Sequence, residues 1–259
     1  MDELYKKIIE QVVSSGKRIK EKSGKIQDIG ITKKNLTEED IKIERELKKI
    51  VKEFDTKHEF YAEEENENFL DAEDVWVVDP ISGTRFFITG LPHYGIVIAH
   101  LHMGEAQFAA VYDPSMDNLY TAYKNKGSYL NEQKISIKET ASENPKIIFN
   151  LSSNWKDNRI SQKMFCELGK FDLYRAPGSF AVNECSVACG QYDGAVCLAK
   201  DSFPAFASSL IIQEAGGIFT NIAGEKNIKS SDRIFIAGDE KTYQKLKLIV
   251  KKIFKESNS

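Results

Sequence analysis

The sequence predicts a layered α/β fold, with a largely antiparallel sheet in its N-terminal half and a mixed sheet in its C-terminal half. Three observations support this. Apolar residues recur at helical spacing up to Phe54, short β-branched and aromatic runs follow from Glu59, and strand-like and helix-like segments alternate from Lys146 onward.

Residues 2 to 22 place Leu4, Ile8, Ile9, Val12, Val13 and Ile19 on one helical stripe, which ends before Gly24. The spacing predicts a second helix over 38–54, opened by "LTEED". Thr37 is a suitable N-cap with Asp40 three residues on, and Ile41, Ile43, Leu47, Ile50 and Val51 form the apolar face. The runs "EFYAEE", "VWVVDP", "YGIVIAHLHMG", "AQFAAVYDP" and "NLYTAYKNKGSYLN" predict an antiparallel meander, with hairpin turns at Pro114 and Lys124–Gly127. In the second half, "KIIFNLS", "DLYRAPG", "DGAVCLA", "IFTNIAG" and "RIFIAGD" read as strands. Helices are expected over 158–170, in "SFAVNECSVACGQ", in "PAFASSLIIQEAGG" (closed by Gly216-Gly217) and over 239–255. The polar stretch "TASENPK" divides the chain near residues 140 to 147 into an N-terminal unit, 1–143, and a C-terminal one, 144–259.

Composition narrows the function. A chain of 259 residues can bury a large core. A net charge of −3, with lysines interspersed among acids, argues against nucleic-acid binding through a basic face. "MDELYKKIIEQVV" lacks the apolar region of a signal peptide and no stretch approaches a membrane span, so a cytoplasmic location is expected. Cys166, Cys185, Cys189 and Cys197 form neither a paired zinc pattern nor a dense disulfide framework. Buried free thiols are expected, with Cys185 and Cys189 as core filler.

The chemistry concentrates in "WVVDPISGTRFFITG", residues 76 to 90. An acid at a strand end, a proline and then Ser82-Gly83-Thr84 make a candidate phosphate and metal site, although Asp79-Pro80 alone is also an ordinary strand-to-turn junction. Glu63-Glu64 just upstream are solvated turn acids in isolation and candidate ligands in this company. Four segments occur in order: Glu63-Glu64 after a strand, "WVVDPISGT", "GSFAVNECSVACGQYDGAV" and "SSLIIQEAGGIFTNIAG". In that order and spacing they resemble the inositol monophosphatase family of magnesium-dependent, lithium-sensitive phosphomonoesterases. The resemblance runs from "LTEED" to "RIFIAGD".

The resemblance implies an αβαβα sandwich, a homodimer and magnesium as cofactor. It assigns a first metal to Glu63, Asp79 and the carbonyl of Ile81, and an attacking water to Thr84, whose hydroxyl Asp40 would hold. Asp40 also reads simply as the last member of a capping box. Phosphate would meet Ser82, Gly83, Thr84 and Arg85. The second metal is where the chain departs from the pattern. The family's acid after Pro-Ile is Ser82 here, and the acid of its Trp-Asp pair falls on Pro204, in Phe203-Pro204. A serine hydroxyl is a neutral ligand and proline has no side-chain oxygen, so hard-cation binding is weakened there. Asp201, three residues upstream, is a candidate replacement, and Pro204 is also a good helix starter. On the substrate side, Gly178-Ser179-Phe180-Ala181 puts a phenyl ring where the family has a methyl, and Cys197 replaces an acid that would hold sugar hydroxyls. Arg85, usually smaller and uncharged in inositol phosphatases and a lysine in the bisphosphate-nucleotide branch, either meets a bound anion or forms a surface ion pair. His100 and His102, with no acid partner evident, read as packing.

Two functions are therefore open. One is a phosphate- or anion-binding homologue, weakly active or inactive, with one magnesium site kept and the second lost. The other is an active, divergent phosphomonoesterase acting on a bisphosphate nucleotide or a sugar phosphate.

Overall fold

The computed structural model describes residues 1–31, 35–64, 72–152, 155 and 157–257. Two sheets alternate with three helical layers. The first layer is α1 (Asp2–Lys22) and α2 (Glu38–Phe54). It covers a seven-stranded sheet whose strands follow in chain order: β1 (Glu59–Ala62), β2 (Asp74–Ser82), β3 (Gly95–His102), β4 (Glu105–Asp113), β5 (Asn118–Tyr123), β6 (Gly127–Leu130) and β7 (Gln133–Ile135). Residues 136–145 carry the chain to the second sheet. It has five strands in the order β11 (Ile218–Asn221), β12 (Ile234–Gly238), β10 (Gly194–Leu198), β8 (Lys146–Leu151), β9 (Asp172–Tyr174). Between the sheets lie α5 (Phe180–Ala188) and α6 (Phe203–Glu214), and α4 (Asn158–Leu168) and α7 (Glu240–Ser257) cover the far face.

Burial explains the residue patterns. The outer helices show one apolar stripe, with Leu4, Ile8 and Val12 of α1 against Ile43 and Leu47 of α2 and the first sheet. The middle helices have apolar contacts on both sides, so α6 buries every residue from Ala205 to Ile212 and loses any one-sided pattern. β2 is buried on both faces: Val75 and Val77 face the middle layer, Trp76 and Val78 the outer one. That is why it reads as a continuous apolar run. Among the described residues no helix is long and apolar enough to cross a membrane.

Two expectations change. The first sheet is antiparallel except at its edge, where β1 pairs with β2 in parallel register, Glu59 opposite Val75 and Ala62 opposite Val78. The meander therefore begins at β2. Nor do His100 and His102 lack an acid. Asp74 Oδ1 lies 2.9 Å from His100 Nε2 and 3.0 Å from His102 Nδ1, and Asp74 Oδ2 lies 3.9 Å from His58 Nε2. Three of the four histidines thus converge on the first residue of β2, with Tyr5 hydroxyl on the other ring nitrogen of His100 at 2.9 Å. The cysteines are all free, but Cys166 is exposed; only Cys185 and Cys197 are fully buried.

Candidate phosphate and metal site

At its C-terminal end β2 leaves regular pairing. Its register with β3 shifts between Asp79 and Ser82, where Pro80 has no N–H to give to the ladder. The chain then turns through Gly83, at φ 84°, into the short helix α3 (Thr84–Thr89). Glycine is required there and at Gly178, whose φ is 81°. A Cβ on Gly83 would sit 2.9 Å from the His93 carbonyl oxygen, and one on Gly178 would sit 2.0 Å from the same atom. Ser179 N–H donates to that oxygen at 2.7 Å. The two glycines let the loop after β2 and the loop before α5 close on one carbonyl.

This closure forms a cavity of about 1020 Å³ between the strand ends. Its wall includes Glu63, Asp79, Ser82, Gly83, Thr84 and Arg85 from the first half of the chain. The second half contributes Arg175, Gly178, Phe180, Lys200, Asp201 and Pro204. Most of the sequence candidates are thus brought together across the two sheets. Phe180 starts α5 and packs its ring against the middle core beside the cavity.

Three placements differ from the family pattern. Thr84 hydroxyl donates to the Ile81 carbonyl at 2.7 Å rather than to Asp40. Asp40 closes the capping box of α2, its Oδ2 accepting from Thr37 N–H at 2.8 Å and from Thr37 hydroxyl at 2.6 Å. Its Oδ1 is buried with no hydrogen-bond partner among the described residues. Burial, reinforced by the charges of Glu64 and Glu63, pushes Asp40 up to about 8. The third difference concerns Cys197 and Ser179, neither of which lines the cavity. The Cys197 thiol faces the middle core, deeper on its strand than Ala199, which reaches the wall. Ser179 is buried as the N-cap of α5, accepting from Val182 N–H at 3.3 Å.

The centre of the cavity is acidic and crowded. Burial, then the charges of Glu63 and Asp201, raise Asp79 well above the carboxylate range, with Lys200 and Ser82 opposing. Burial and the Glu63 charge raise Asp201 as well, while Lys200 and the Phe203 N–H, 3.2 Å from its Oδ1, pull the other way. Asp79 is nearly fully buried and its Oδ1 has no hydrogen-bond partner among the described residues. A buried orphan carboxylate oxygen beside a second and third acid fits a hard divalent cation. Ser82 and Pro204, on the same wall, bring no carboxylate.

Sequence reasoning missed two residues here. Arg175 adds a second guanidinium to the wall that Arg85 also lines. Lys200 reaches into the acids: its Nζ lies 2.6 Å from Glu63 Oε1 and 3.5 Å from Asp201 Oδ2. Burial opposes its charge, but Glu63, Asp201 and Asp79 together raise it above the ordinary lysine value, so it is an ammonium at neutral pH. The adjacency "KD" at 200–201 was the available signal. Among the described residues, the acid and histidine donors that come within 4.8 Å of one another are Glu73, Asp74 and His102, at the opposite end of β2; Glu63, Asp79 and Asp201 do not close into such a trio.

Fold and site define a phosphoryl-handling α/β sandwich, and comparison with known proteins specifies which. The sequence model described as the inositol monophosphatase family matches residues 1–256, so the chain belongs to that family. Its members are typically magnesium-dependent and act on phosphorylated small molecules. A putative Nus factor SuhB of Neisseria meningitidis serogroup B is 33% identical over 182 residues, 69% of each chain. A fructose-1,6-bisphosphatase/inositol-1-monophosphatase of Aquifex aeolicus is 29% identical over 223 residues, 82% of this chain and 83% of its own. Among solved structures, the Thermotoga maritima IMPase superposes with a TM-score of 0.85 at 24% identity, covering 99% of both chains, which shows the shared fold.

Proposed function

We propose that this chain is a phosphate-binding member of the inositol monophosphatase family with weak or no hydrolytic activity, cytoplasmic and homodimeric. The observation that carries the reading is the second metal site. Ser82 and Pro204 both line the cavity where the family pattern has acids, and neither offers a charged oxygen.

One magnesium ion would be held by Glu63, Asp79 and the Ile81 carbonyl, and when bound it would neutralise charge on a phosphoryl oxygen. The chain itself supplies the rest. Arg85 and Arg175 attract the anion from the rim, and Gly83 lets the backbone approach it closely. Phe180 narrows the side where a polyol would lie. Thr84 is close to where the resemblance puts the attacking water, but in this arrangement its hydroxyl proton points to Ile81 and not toward Asp40. A second reading, an active enzyme on a bisphosphate nucleotide or sugar phosphate, rests on Asp201, which lines the same cavity as Asp79 and offers a third carboxylate.

A screen of phosphate esters with magnesium against chelator separates the two. The set includes inositol monophosphate, a 3′,5′-bisphosphate nucleotide, a sugar phosphate and an activated aryl phosphate. The proposal expects turnover far below that of an intact family member on all of them. Robust magnesium-dependent turnover of any would establish the second reading instead.

A further inference from the structure

Lys200 is not among the residues that the resemblance assigns, yet it lines the cavity among its acids. Its ammonium is a full hydrogen bond from Glu63, the acid that the resemblance makes a metal ligand, and within ion-pair distance of Asp201. An ammonium has three N–H donors. The two carboxylates engage two of them, and the lysine lines the open cavity with its side chain 46% exposed, so the third is available to a ligand. The wall around it carries two further cations, Arg85 and Arg175, to complete an anion's shell.

We propose that Lys200 is a tethered cation beside the metal-ligand candidate Glu63, so that this cavity binds a phosphate dianion without any divalent ion. The proposal rests on the phosphate-binding reading above and deepens it. Tethering supplies one positive charge, against two from a mobile metal, which suits holding an anion. It gives little help to a leaving oxygen, whose charge a bridging metal stabilises during transfer. Ser82 and Pro204 leave the cavity without two negative charges that the family pattern has, and Lys200 brings a positive one to the same wall.

The test is calorimetric titration of the full chain with inorganic phosphate, in chelator and in magnesium, for the parent, Lys200→Met and Lys200→Arg. Circular dichroism confirms that each variant folds. The parent should bind phosphate in chelator, within a few-fold of its affinity in magnesium. Lys200→Met should lose about tenfold or more in chelator, the scale of one charge-assisted hydrogen bond, and Lys200→Arg should lose much less. Binding by the parent only in magnesium would overturn the tethered-cation proposal while leaving phosphate binding intact. Unchanged affinity in folded Lys200→Met would overturn it as well. Absence of binding in both buffers would refute the phosphate-binding reading and this proposal with it.

Discussion

Restoring the two missing acids should revive magnesium-dependent hydrolysis. Ser82 is almost fully buried at the end of β2 beside Asp79, and Pro204 lies in the first turn of α6, on the cavity wall. Ser82→Asp therefore places a fourth carboxylate among Asp79, Glu63 and Asp201, two of which are already raised by burial and by the neighbouring acids. Without a cation that acid should cost roughly 2–4 kcal/mol, an apparent melting shift of about 4–8 °C for a chain of this size. Magnesium should reverse the loss, since binding stabilises the folded state by mass action. Pro204→Asp exchanges a helix-starting proline for an acid at a helix N-terminus, which the helix dipole favours. Each single change leaves the second shell short of charge, so the pair should be strongly non-additive. A leaving-group metal worth about 4 kcal/mol corresponds to roughly a thousandfold in rate. The assay is hydrolysis of an activated aryl phosphate, which avoids the crowding by Phe180, with melting followed against magnesium. A double variant that folds, binds two cations and still shows no magnesium-dependent turnover would refute the reasoning.

Two further outcomes follow from the same geometry. Gly178→Ala should be among the most destabilising small substitutions, by about 2 kcal/mol or more. Its φ of 81° disfavours alanine, and the new Cβ would meet the His93 carbonyl oxygen at 2.0 Å; a melting temperature within a degree of the parent would contradict this. Acidification should weaken the fold through His100. Burial, helped by His58 and His102 and opposed by Asp74, lowers it from 6.5 to about 4. A group lowered on folding takes its proton first in the unfolded chain. Its contribution is therefore complete above pH 6.5 and lost progressively toward pH 4, roughly 2 kcal/mol of it by pH 5. Burial works to raise Asp74, but hydrogen bonds from His102 and His100 hold it below its ordinary value, so its contribution disappears at still lower pH. Denaturant midpoints at pH 7 and pH 5 measure the sum, and a slope unchanged in His100→Gln would exclude this source.

How much of this was legible in the sequence depended on range. Helices α1 and α2 could be read because their apolar stripes and the Thr37–Asp40 cap are local features. The β3 to β6 hairpins could be read for the same reason, since short turns fix antiparallel neighbours. The parallel β1–β2 pairing could not, because a parallel partner is not fixed by a short turn and leaves no local pattern. Helix α3 was missed because six residues are too few to show a period. The site was legible as far as its motifs reached: Glu63, Asp79, Ser82, Arg85 and Pro204 do line one cavity. Lys200 was invisible because its partner Glu63 is 137 positions away, and Asp74 likewise meets His100 and His102 only across paired strands. The Asp40 and Thr84 hydrogen bonds went elsewhere because each had a nearer partner: Thr37 in the capping box and Ile81 in the turn.

The most direct measurement of the central claim is cation stoichiometry. Manganese binding to the full chain, followed by electron paramagnetic resonance with saturating inorganic phosphate, counts the ions and reports whether two are coupled. Ser82, Pro204 and the Lys200–Glu63 ion pair leave room for no more than one, so the account predicts at most one manganese per chain and no spin-coupled signal. Two ions per chain with the coupling of a bridged pair would mean that Asp201 or another group has rebuilt the second site, and would contradict it.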